Sequence, residues 1–172
     1  MADDLKALVE KALKDSILSF NRNVQGSFET WDAELERVER LVVLERASAG
    51  REDWLASIRA ERIRLAWEVG KSDLLLERSQ RFLQDSPPRV ASYGTVVEVR
   101  ARALHEAGAH GEERTLVLEA AAEPEIRGSE YVSLLAGLAR RHAGSIPPDA
   151  RVSRVFWTAG EHWPVGPEGN PE

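Results

Sequence analysis

Apolar residues recur along this chain at the three- and four-residue spacing of helices with one buried face. Leu5, Leu8, Val9, Ala12, Leu13, Ser16, Ile17 and Phe20 form the first stripe, and Asp3 or Asp4 is placed to cap its start. Residues 21–26 read as a loop. Ser27 then caps a second helix that buries Phe28, Trp31, Leu35, Val38 and Val42, with Leu41 alongside. The opposite face alternates Glu34, Arg37, Glu39, Arg40, Glu45 and Arg46, a solvated pattern of paired charges. Ser48, Ala49 and Gly50 end it. A third helix over residues 52–69 turns Trp54, Leu55, Ile58, Leu65 and Val69 inward and stops at Gly70, because glycine takes the left-handed conformation at little cost.

Ser72 is placed to cap a fourth helix with Leu75, Leu76, Ser79, Phe82 and Leu83 inward, closed by Pro87 and Pro88. The fifth begins near Val90 and carries Tyr93, Val96, Val97, Ala101 and Leu104. Its valines have strand propensity, but the 3.6-residue spacing decides for helix. A sixth over residues 112–122 buries Leu116, Val117 and Ala120 and stops at Pro124. A seventh over residues 129–142 buries Tyr131, Leu134, Leu135 and Leu138 and stops at Gly144. Beyond it Pro147, Pro148, Pro164, Pro167 and Pro171 exclude a helix, and Trp157 and Trp163 are placed to dock this tail on the helices. The expected architecture is all-α: about seven helices over residues 1–144, then an extended, proline- and glycine-rich tail over 145–172.

Two helix ends echo each other 38 residues apart. Arg62, Arg64, Glu68 and Gly70 align without gaps on Arg100, Arg102, Glu106 and Gly108. Glycine separates the paired helices, and proline follows one helix later, at Pro87 and Pro124. This punctuation resembles the tetratricopeptide repeat, over about residues 54–144. Gly70 to Pro87 matches that family's distance from inter-helix glycine to closing proline, and Gly108 to Pro124 is one residue short. Gly137 and Gly144 match the glycines of a lone first helix. The chain departs from the family where the paired helices touch. Small residues are preferred there, whereas this chain has Ile63, Leu75, Phe82 and Glu113. The resemblance implies stacked antiparallel helical hairpins in a right-handed array, with the first helix of each unit lining a concave, protein-binding face. It places Arg64, Trp67 and Glu68 on that face, then Glu98, Arg102, His105 and Glu106, and then Tyr131, Arg141 and His142.

Composition narrows what such a groove can bind. A net charge of −6 lacks the basic footprint of a general nucleic-acid binder. The absence of cysteine excludes disulfides, thiolate chemistry and cysteine-based zinc sites. The acidic start, Met1-Ala2-Asp3-Asp4, is unlike a signal peptide, and no apolar run approaches the roughly 20 residues of a membrane span. A cytoplasmic location follows as the expectation. His105, Glu106 and His110 miss the spacing of a zinc-protease helix, since Ala109 stands where the second histidine belongs and Gly108 interrupts the helix. His142 and His162 stand alone, and Trp31, Trp54 and Trp67 read as core. No phosphate-cradling loop or serine elbow is present, so neither catalysis nor a metal or cofactor is expected.

The expected function is a non-catalytic adaptor or scaffold that holds a partner protein or peptide bearing acidic residues. Arg64, Trp67, Glu68, Arg102, His105, Glu106 and Arg141 carry the contact, because arginine offers a planar donor fork to carboxylates and tryptophan a rigid surface. Alanine-, arginine- and glutamate-rich usage fits a bacterial source. The alternatives are an immunity protein, inhibitor or chaperone that blocks a toxin or effector, and a structural subunit of a larger complex. Self-association stays open, and an all-α enzyme ranks last.

Overall fold

The computed structural model describes residues 2–21, 28–45 and 48–123. Six helices follow in order: α1 (Ala2–Asn21), α2 (Phe28–Leu44), α3 (Arg51–Glu68), α4 (Ser72–Asp85), α5 (Tyr93–Glu106) and α6 (His110–Ala122). The described residues contain no strand. The seventh helix expected over 129–142 and the tail from 145 lie outside the described residues.

Each helix packs on the next, and α3 also touches α1 and α5. The odd helices therefore form a row, and the even helices sit against it without packing on one another among the described residues. α3 lies at the centre with four neighbours. Its buried residues, Leu55, Ala56, Ile58, Glu61, Ile63, Leu65 and Ala66, accordingly cover much of its circumference rather than one stripe. α2 contributes Leu35, Val38 and Val42 to the same core, α4 adds Leu75 and Phe82, and α5 adds Val96 and Ala103. Ile63, Leu75, Phe82 and Glu113, the positions where small residues would bring helices closer, are all buried. Arg51 donates to the carbonyls of Val42 (3.2 Å) and Val43 (3.3 Å), satisfying the end of α2. No helix among the described residues is long and apolar enough to cross a membrane.

The echoed helix ends fold identically. Gly70 has φ 71° and Gly108 φ 73°. In the first turn the Lys71 N–H donates to Ala66 O (2.9 Å) and the Gly70 N–H to Trp67 O (3.0 Å). In the second the Ala109 N–H donates to Leu104 O (2.8 Å) and the Gly108 N–H to His105 O (3.0 Å). This paired closure satisfies the last carbonyls of α3 and α5 and sets the entry of α4 and α6. A Cβ at either glycine would meet nothing within 4 Å, so only the backbone conformation opposes a side chain. Gly70→Ala and Gly108→Ala are each expected to cost about 1–2 kcal/mol by urea unfolding. Gly111→Ala, in open space inside α6, should be neutral or stabilising by up to about 1 kcal/mol.

Several local expectations are corrected. α1 begins at Ala2, so Asp3 and Asp4 lie inside its first turn rather than before it. Ile17 is exposed, because α1 buries the line Val9, Ala12 and Ser16 against α2 and α3. Val69 is also exposed, since the chain has already left α3 there and turns outward into Gly70. Ser72 is the first residue of α4 and makes no capping hydrogen bond, the cap position being Lys71. α5 starts at Tyr93, with Val90 buried in the preceding turn, and α6 starts two residues early, at His110. The segment over Tyr93 to Val99 is helical, as its spacing required.

Candidate functional site

Arg64 occupies a half-buried position in α3 and is already paired. Its Nε and Nη2 donate to the two Glu61 oxygens (2.8 and 2.7 Å), and Nη1 reaches Glu68 at 3.3 Å. Glu61 is itself buried and accepts a hydrogen bond of 2.7 Å from Ser16 Oγ, which ties α1 to α3. The Glu61 hydrogen bonds raise the Arg64 pKa further, although burial opposes this. Trp67 is partly buried against the core. Arg102 is exposed and donates to Glu98 one turn back on α5, and Glu68 and Glu106 are exposed. Arg64 and Arg102 thus spend donors on carboxylates of their own helices. Tyr131, Arg141, His142, Trp157 and Trp163 lie outside the described residues.

The other side of the row carries a stronger electrostatic contrast. Over α3, the gap between α2 and α4 is closed by charge. Asp32 accepts from Arg62 Nε (2.9 Å) and from both Nη atoms of Arg78 (2.8 and 2.7 Å). Glu39 accepts from Arg59 (2.7 Å) and Arg62 (2.8 Å), and Glu36 from Arg62 at 3.3 Å. Arg78 also donates to Arg62 O (3.3 Å). Such partly buried charges are tolerable only because each is matched.

Over α5, the equivalent gap between α4 and α6 is a cleft of about 300 Å³ lined by Gln80, Leu83, Tyr93, Val97, Arg100 and Leu116. Arg100, the counterpart of Arg62 in the echo, faces it. Arg100 Nη1 donates to Leu76 O (2.5 Å) and Ser79 Oγ (3.1 Å), and it has no carboxylate partner among the described residues. Burial lowers the Arg100 pKa, with Glu112 pulling the other way. Glu119 and Glu123 also line the cleft. Burial raises the Tyr93 phenol beside them, and both carboxylates add to the shift. The sequence carried one signal for Arg100, its identity with Arg62, which pairwise spacing on one helix could not interpret.

At the α5–α6 turn three potential ligands converge. His105 Nδ1 lies 2.9 Å from Glu113 Oε2, and His110 Nδ1 lies 3.7 Å from the same oxygen. The two imidazole rings stand 4.9 Å apart and tilted by 54°. Sequence spacing missed this group because it looked for histidines on one continuous helix, whereas the reversal at Gly108 folds His110 and Glu113 back onto His105.

Comparison with family models, with curated proteins and with solved structures brings out no match to this chain.

Proposed function

We propose that the chain is a non-catalytic, protein-binding module of the tetratricopeptide-like kind, which receives an extended or helical segment of a partner. The observation that carries this reading is Arg100. A half-buried guanidinium that lines a cleft and is bonded to no carboxylate among the described residues sits where the neighbouring layer matches Arg62 and Arg78 with Asp32. A partner carboxylate would complete the second layer as Asp32 completes the first, and charge-assisted arginine–carboxylate bonds are the strong ones. The apolar walls, Leu83, Val97 and Leu116, suit a flanking aliphatic residue, and Glu119 favours a basic residue beyond it. The row formed by α1, α3 and α5 supports the repeat-like part of the reading, and its outer face keeps Trp67, Glu68, Arg102 and Glu106 as a second contact surface.

Binding of a partner recovered by pull-down, measured by calorimetry, separates the two surfaces. Arg100→Met is expected to weaken it by about 30-fold, the size of an interface hot spot. Trp67→Ala with Arg102→Ala should cost less, because Arg102 is exposed and already paired. Wild-type affinity in a folded Arg100→Met protein would remove the cleft from the interface.

A further inference from the structure

We infer that the α5–α6 turn is a binding site for a divalent transition-metal ion of the zinc class, held by His105 Nδ1, His110 Nδ1 and Glu113 Oε2. This inference stands apart from the cleft over α5 and does not depend on it. The donor atoms of the three residues all lie within 4.8 Å of one another. A tetrahedral ion with bonds of about 2.0–2.2 Å holds its ligand atoms roughly 3.3–3.6 Å apart. The two distances to Glu113 Oε2, 2.9 and 3.7 Å, bracket that separation, and the exposed imidazoles must turn to bring the remaining donor pair, within 4.8 Å, to the same spacing.

The backbone fixes the arrangement before any ion arrives. The Gly108 N–H donates to His105 O, and the Ala109 N–H to Leu104 O, locking the last turn of α5. The Glu113 N–H donates to Ala109 O, starting α6 directly after it. His110 and Glu113 then share one face of α6 at i, i+3 spacing, opposite His105. Burial divides the labour. The Glu113 side chain is 0% exposed, whereas those of His105 and His110 are 43% and 61% exposed. The open imidazoles leave a path for the ion and a coordination position for water or a partner side chain. Two imidazoles and one carboxylate, without thiolate, select zinc, cobalt, nickel or copper over magnesium or calcium. Bound there, the ion would clamp α6 to the end of α5.

The test uses the full chain without an affinity tag. Zinc is titrated by calorimetry, and cobalt by its visible absorption. The expected result is one equivalent bound, absorption typical of four- or five-coordinate cobalt, and no competition from magnesium. His105→Ala and His110→Ala should each weaken binding by about 100-fold or more, since loss even of a residue behind the ligands costs 10–100-fold. His110 is exposed enough for its alanine variant to fold, which circular dichroism checks independently. Two results would overturn the site. One is undiminished zinc binding in the His105→Ala, His110→Ala double variant, which would move the ion to other histidines or carboxylates. The other is no stoichiometric binding by wild type, which would leave His105, His110 and Glu113 as a packed cluster that holds no ion.

Discussion

Phe82→Ala is expected to lower the free energy of unfolding by about 3–5 kcal/mol. Phe82 is among the largest side chains in the core, only 1% exposed, and it lies on α4 where that helix meets both α3 and α5. Its ring is tilted against Tyr93 with centroids 6.2 Å apart, so one side chain anchors the start of α5. Deleting the ring removes its transfer free energy and leaves a cavity between helices already fixed by their other contacts. Phe82→Leu, which refills most of the volume, should cost under about 1.5 kcal/mol. Urea denaturation of both variants checks the contrast. A cost below roughly 1.5 kcal/mol for alanine would mean that α4 and α5 collapse together and that the core is softer than its packing implies.

Asp32→Ala is the second large effect, about 2–4 kcal/mol. Arg62 and Arg78 meet on this one carboxylate, and the side chains of Asp32 and Arg62 are each 15% exposed. Removing it leaves two guanidinium groups part-buried and undermatched, and stranding such a charge costs more than the ion pair contributes. The effect should carry a pH signature. Burial raises the Asp32 carboxyl, but hydrogen bonds from Arg78 and then Arg62 outweigh it and hold the group below its ordinary value. Folding therefore favours the ionised form. The resulting stability is fully present above the unfolded carboxyl's value, about 4, and is lost as pH falls through the lower folded value. Wild type should accordingly lose stability on acidification below about pH 4 more steeply than Asp32→Ala. Parallel pH curves for the two proteins would show that Asp32 contributes no such linkage.

The helices were legible in the sequence wherever one face is buried. The stripes of α2, α4 and α5 place Leu35, Val38, Leu75, Phe82, Val96 and Leu104 inward, as found. α3 resisted that reading because four neighbours bury Ala56, Glu61 and Ile63 off the expected stripe. Gly70 and Gly108 were legible because a positive φ is a property of single residues. The i, i+4 pair Arg64–Glu68 was legible for the same local reason, whereas Arg102 turns back to Glu98 instead of forward to Glu106. What stayed hidden depends on chain reversal. Asp32 meets Arg62 and Arg78 from another helix, Ser16 reaches Glu61 across the row, and His105 finds Glu113 only after the turn. Periodicity describes one helix at a time, and each of these groups is assembled from two or three.

The succession of neighbours also governs how the chain acquires its shape. Among the described residues, touching helices are either consecutive or have a single helix between them. Within these six helices none must wait for a distant one, so little loop-closure entropy opposes their assembly, which belongs to the fast regime of local topologies. During synthesis α1 and α2 can pair as they emerge and serve as the template for α3. Each later helix then adds to a surface that already exists.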